Sequence, residues 1–82
     1  MNKSAKEMFE ELGYTFQDYS NLSYNSRFQY EILDEKWHEF ETVYFMLEEK
    51  TISINSYLQE VGINMKLLKA IQKQIKELGW NE

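Results

Sequence analysis

The chain has 82 residues, of which 43% are hydrophobic and 16% aromatic, with no cysteine and a net charge of −5. This length predicts one small domain over residues 1–82, and the lack of cysteine excludes disulfides and thiolate zinc sites as sources of stability. No apolar run approaches the roughly 20 residues of a membrane helix, and the first residues lack a signal-peptide core, so we expect a cytoplasmic protein.

The first predicted element is a short helix that begins near residue 5. Ser4 and Glu7 have the S-x-x-E spacing of a capping box, in which each residue bonds to the backbone N–H of the other. Apolar residues follow at helical spacing as far as Leu12. Gly13 can then take the left-handed conformation that ends many helices.

The middle of the chain carries the patterns of an antiparallel sheet. Residues 27–33 alternate cleanly between apolar and polar, which is the period of a half-buried strand. Residues 37–47 are aromatic and β-branched, so they predict the second arm of a hairpin. Residues 14–19 and 51–54 are weaker strand patterns. Residues 55–62 fit either one helical turn or a continued strand, and we favour an irregular connection.

The last predicted element is an amphipathic helix whose two ends are both marked in the sequence. Asn64 can cap its first turn, Ile63 can pack on Leu68 as a hydrophobic staple, and Gly79 with Trp80 can end it. Its predicted core face has apolar residues at spacings of three and four: Leu68, Ile71, Ile75 and Leu78. The predicted fold class is therefore α+β: a short N-terminal helix, three to four antiparallel strands, and a C-terminal helix across one sheet face.

A three-residue turn at residues 34–36 would set the register of the central hairpin. Tyr30 would then face Phe40 on the core side, while Glu31 would face Glu39 on the other side, beside Glu41. Together with Asp34 and Glu35 in the turn, these carboxylates predict an acidic surface that could bind a partner. The predicted partner-binding residues are Glu31, Glu39, Glu41, Asp34 and Glu35.

The same register places apolar residues on the outer side of the sheet, namely Trp37, Val43, Phe45 and Leu47. Two explanations remain open. The first helix or a β-bulge near Thr42 could bury them, or they could form a self-association patch in a homodimer.

Charge is distributed unevenly along the chain. The first 64 residues carry five basic and twelve acidic side chains, whereas the rest carry four lysines and two glutamates. An acidic body disfavours nucleic-acid binding, except through a stripe of lysines on the last helix. That stripe consists of Lys66, Lys69, Lys73 and Lys76, and Tyr14, Tyr19 and Tyr24 could stack bases. The alternative is that these lysines are simply solvated.

No catalytic or metal-binding signature stands out. His38 is the only histidine and has no nucleophile motif near it, and the three glycines are isolated, so no phosphate loop is present. Carboxylate pairs such as Glu48 and Glu49 are expected by chance among 14 acidic residues. We therefore expect a protein that is not an enzyme and has no metal site and no cofactor.

Both chain ends resemble small, mostly uncharacterised proteins carried by phages and prophages of low-GC Gram-positive bacteria. The resemblance lies in AKEMFEELGY at residues 5–14 and KAIQKQIKELGW at residues 69–80, about a third of the chain. It implies an accessory protein of a mobile element. From this setting and the acidic charge we expect a protein that binds a host protein and inhibits a nucleic-acid-processing defence enzyme, as anti-CRISPR and other anti-defence proteins do. The alternatives are a homodimeric assembly module or a weak nucleic-acid binder.

Overall fold

The computed structural model describes residues 3–33, 39–56 and 62–80, and it confirms the predicted α+β fold. The elements in chain order are α1 (Ala5–Glu11), β1 (Thr15–Tyr19), β2 (Arg27–Leu33), β3 (Glu39–Met46), β4 (Thr51–Ser56) and α2 (Met65–Leu78). The strands form one antiparallel sheet in the order β1-β2-β3-β4. Each strand therefore pairs with its neighbour in sequence.

The caps of both helices form as their residues predict. The Glu7 N–H donates to Ser4 Oγ at 3.1 Å and the Ser4 N–H to Glu7 Oε1 at 3.0 Å, and the hydrogen bonds from Ser4 lower the pKa of Glu7. Asn64 Oδ1 accepts the Leu67 N–H at 2.8 Å at the start of α2. Gly13 and Gly79 both have positive φ, so the same glycine end closes both helices.

Both helices pack on one face of the sheet and enclose an aromatic core. Phe9 of α1 stacks on Tyr30 of β2, with ring centroids 3.9 Å apart, and meets Phe45 of β3 edge-on. Trp80, just beyond α2, lies 6.4 Å from Phe45 between ring centroids. The core is completed by residues of both helices and the neighbouring strands, including Tyr14, Val43, Leu67, Ala70 and Ile71.

The face that α2 buries agrees with the predicted one at Ile71, Ile75 and Leu78 but not at Leu68. Its buried residues are Leu67, Ala70, Ile71 and Gln74. Leu68 is only partly buried and lies outside the core cluster. The prediction was therefore wrong at Leu68, and it omitted the buried Leu67, Ala70 and Gln74. The small side chain of Ala70 permits close approach of α2 to the core. Gln74 can be buried because its side-chain oxygen accepts a hydrogen bond from the Tyr30 hydroxyl.

The predicted hairpin register was wrong by three residues. Tyr30 pairs with Val43, not Phe40, and Phe28 pairs with Phe45. A register shift between Ile32 and Leu33 adds one residue to β3. An odd shift exchanges the two faces of a strand, because side chains alternate with a period of two. This register places Val43 and Phe45 inside, where Phe9 and Tyr30 surround them.

Candidate functional site

Within the described residues, the sheet face opposite the helices is not covered by either helix. Strand alternation and pairing place there Thr15, Gln17, Tyr19, Arg27, Gln29, Glu31, Thr42, Tyr44, Met46, Thr51, Ser53 and Asn55. This outer face is mostly polar. The core-facing side of the same strands carries the aromatic and aliphatic residues.

A ladder of polar side chains runs along β2 on the outer face. Arg27 Nε donates to Gln29 Oε1 at 2.9 Å, and Gln29 Nε2 donates to Glu31 Oε2 at 3.1 Å. Gln29 and Glu31 are buried, with Glu31 only 8% exposed. The ladder joins a cation to an anion through one amide, which satisfies polar groups that would be costly to bury alone.

One end of the outer face forms a partly exposed surface. We define the sheet-end patch as Tyr19, Arg27, Tyr44, Met46 and Ser53. A depression of about 340 Å³ is lined by the last four of these and Asn25. The Arg27 guanidinium lies over the Tyr19 ring, 4.6 Å from its centroid, and Arg27 Nη1 donates to the Asn25 carbonyl at 3.0 Å. Arg27 is thus held by contacts on three sides.

The structure does not assemble the predicted acidic surface as expected. Glu31 lies on the outer face, whereas Glu41 faces the helices and accepts a hydrogen bond from the Tyr14 hydroxyl. Burial, assisted by this hydrogen bond, raises the pKa of Tyr14. The prediction that Glu31 and Glu41 share one face is therefore wrong, because it followed from the wrong register. Asp34, Glu35 and the Glu39 side chain lie outside the described residues.

The predicted self-association patch is also wrong in its two central residues. Val43 and Phe45 are both 0% exposed and belong to the core. Leu47 is partly buried, and Trp37 lies outside the described residues. Val43 and Phe45 are therefore buried within the domain and do not form a homodimer patch. The physical cause is the hairpin register, which turns both side chains toward the helices.

The lysine stripe borders a groove between the two helices. This helix groove has a volume of about 580 Å³, and its lining residues are Lys3, Met8, Glu11, Leu12, Lys66, Lys69 and Lys73. Lys76 is not among them. Of the tyrosines expected to stack bases, Tyr14 is buried, Tyr19 lies on the opposite side of the sheet, and Tyr24 is exposed between β1 and β2. The stripe therefore does not share a surface with Tyr14 or Tyr19.

Sequence reasoning missed the sheet-end patch and the α1 side of the helix groove. A signal for the patch exists, since Tyr19 and Arg27 are the last and first residues of adjacent strands. Tyr44 and Ser53 join them only when the correct register is known. In the part of the chain that the structure describes, no three His, Cys, Asp or Glu residues cluster as metal ligands, and no helix is long and apolar enough to cross a membrane. His38 lies outside that part.

No protein-family model matches this chain, and comparison with curated proteins and with solved structures finds no match either.

Proposed function

We propose that this protein acts by binding a partner protein, and that the sheet-end patch is the centre of the binding surface. The observation that carries this proposal is the composition of the patch. Tyrosine, methionine and arginine are the residue types enriched at protein interfaces, and tyrosine and arginine dominate their energetic centres. Here Tyr19, Tyr44, Arg27 and Met46 are grouped on a sheet face that no described helix covers.

The fixed position of Arg27 supports the same proposal. Its guanidinium stacks on Tyr19, and its Nε and Nη1 atoms donate to Gln29 and Asn25. A side chain that is already ordered loses less conformational entropy when a partner binds. The remaining guanidinium donors can bond to a carbonyl or carboxylate of that partner.

Charge suggests the kind of partner. The chain carries a net charge of −5, and Glu48 and Glu49 are exposed in the turn that directly follows β3, beyond Met46. Acidic groups around an interface speed association with a basic surface and make it sensitive to salt. With the resemblance to phage accessory proteins, this favours a host nucleic-acid-processing enzyme with a basic cleft. Binding would inhibit that enzyme.

A matched pair of variants on β4 tests the patch. Ser53→Glu inserts a charge into the depression beside Tyr44, whereas Asn55→Glu places the same charge on the same face of the same strand, two residues away. Wild-type and variant proteins are immobilised, and a Gram-positive host lysate is passed over them at low and at high salt. Retained proteins are identified, purified and titrated against each variant.

We expect a specific partner that binds the wild type and Asn55→Glu with similar affinity. Its affinity for Ser53→Glu should be lower by about tenfold or more, equivalent to about 1.4 kcal/mol. Glu48→Gln with Glu49→Gln should mainly reduce the association rate at low salt. Equal binding by Ser53→Glu and the wild type would remove the patch from the interface. A partner that shows no nucleic-acid-processing activity would leave protein binding standing and reject the inhibitor role.

A further inference from the structure

The helix groove concentrates positive charge that the described residues do not neutralise. Lys3 pairs with Glu11 at one side of the groove. Lys66, Lys69 and Lys73 make no ion pair with any carboxylate in residues 3–33, 39–56 and 62–80. Like charges at helical spacings of three and four repel one another. An anion between these lysines would relieve that repulsion.

The orientation of α2 adds to the positive potential. Its first turn contains no acidic residue but does contain Lys66. The N-terminus of a helix has a partial positive charge, which normally favours Asp or Glu in this turn. The start of α2 therefore places a cation where an anion would be more stable. This is independent of the spacing of the lysines.

The floor of the groove is aliphatic. Met8 of α1 and Leu12, the residue that directly follows α1, pack against the core and are partly exposed where they line the groove. A volume of about 580 Å³ is far more than a single phosphate ion requires. The groove thus combines a small apolar floor with a cationic wall, and this combination favours a ligand that has both carboxylates and an aliphatic group.

We propose that the helix groove binds an acidic peptide segment, with an aliphatic side chain on Met8 and Leu12 and carboxylates on Lys66, Lys69 and Lys73. This site lies in the helical layer, across the sheet from the sheet-end patch, so the inference goes beyond the proposed function and does not depend on it. A protein with both surfaces would bind two protein elements at once.

An acidic peptide fits the groove better than a nucleic acid or an anionic membrane. None of the described residues that line the groove has an aromatic side chain to stack a base. The net charge of −5 would repel an extended polyanion. A short peptide within the groove responds mainly to the nearby lysines, since screening limits charge interactions to about 10 Å at 0.1 M salt.

The test uses fluorescence anisotropy of the labelled peptide Asp-Leu-Glu-Glu-Leu-Asp-Glu with the full chain. One control peptide replaces every acidic residue by its amide, and another replaces each Leu by Ser. A labelled oligothymidine of about ten nucleotides represents single-stranded nucleic acid. We expect the acidic peptide to bind more tightly than either control peptide and more tightly than the oligothymidine. Its affinity should fall about tenfold or more between low and physiological salt.

Lysine variants locate the binding. Lys69→Gln with Lys73→Gln should weaken the acidic peptide about tenfold, whereas Lys76→Gln, on the same helix but outside the groove lining, should bind it as the wild type does. Circular dichroism verifies the fold, and the salt titration of the wild type provides a measurement that needs no variant. Equal binding of the acidic and amide peptides, an equal loss in Lys76→Gln, or tighter binding of the oligothymidine would each overturn the inference.

Discussion

Glu77, near the end of α2, accepts a hydrogen bond of 2.8 Å from the backbone N–H of Ala5, the first residue of α1, although 72 positions separate them in sequence. The first N–H groups of a helix have no partner within it. A carboxylate from the other helix thus satisfies one of them and also lies at the positive end of the α1 dipole.

Removal of this contact should destabilise the whole domain. We expect Glu77→Ala to lower the free energy of unfolding by about 1 kcal/mol, the usual cost of losing a helix cap. Urea titration measures the change. Glu49→Ala, in an exposed turn, is the control and should lie within about 0.5 kcal/mol of the wild type. Equal effects of the two variants would show that the contact contributes nothing specific.

The buried pair of Tyr30 and Gln74 gives a second prediction. Tyr30→Phe should cost about 1 to 3 kcal/mol, because it leaves the buried Gln74 side-chain oxygen without its donor. The double variant Tyr30→Phe with Gln74→Leu should recover much of this loss, since neither polar group is then buried alone. A double-mutant cycle by urea denaturation measures the coupling. Additive losses would contradict a coupled pair.

Stability should fall at alkaline pH. Burial raises the pKa of Tyr14 and of Tyr30 above the usual range for tyrosine, with Glu41 adding to the shift for Tyr14. The folded chain therefore holds these protons more tightly than the unfolded chain. The two protonated tyrosines therefore make their full contribution to the free energy of unfolding below about pH 10. As the pH rises further, that contribution falls by about 1.4 kcal/mol per pH unit for each tyrosine.

Urea titrations between pH 8 and pH 11 test that slope. Tyr14→Phe removes one of the two tyrosines, so the free energy of unfolding should fall less steeply with pH than in the wild type. Tyr24→Phe, at a tyrosine that is 79% exposed, is the matched control and should keep the wild-type slope. An unchanged slope in Tyr14→Phe would show that this hydroxyl ionises as easily in the folded chain as in the unfolded chain.

The three glycines should respond differently to alanine. Gly13 and Gly79 have φ values of 96° and 76°, and an L-residue there costs about 1 to 2 kcal/mol. Gly62 does not have positive φ, and a Cβ at any of the three positions would meet no atom within 4 Å. Gly13→Ala and Gly79→Ala should therefore lower the melting temperature, while Gly62→Ala should match or exceed the wild type. A similar loss in all three would reject backbone conformation as the cause.

The charge at the two ends of α2 gives a further paired prediction. Lys66→Glu should stabilise the domain by about 0.3 to 1 kcal/mol, because an acidic residue in the first turn suits the helix dipole. Lys76→Glu, in the last turn, should destabilise it by a similar amount. Thermal unfolding at low salt measures both, and high salt should reduce both effects. Changes of the same sign would contradict the dipole argument.

The local sequence determined the elements of this fold and their ends. Ser4 with Glu7, Asn64 and Gly79 act through atoms within a few residues of themselves, so their roles can be read from spacing alone. The alternation over residues 27–33 likewise identified β2 and its core face. These features settled the α+β class, because one helix, a run of strands and a second helix leave few ways to bury the apolar faces.

Tertiary structure alone decided the strand register, and with it which side chains reach each surface. The central hairpin allowed two registers that differ by three residues, and only the joint burial of Tyr30, Val43 and Phe45 against Phe9 selected one. That choice buried the predicted dimer patch, separated Glu31 from Glu41 and grouped Arg27 with Tyr44. The alternation within a strand predicts that it has two different faces. Which residues of neighbouring strands share a face depends on the register, and packing across the core selects the register.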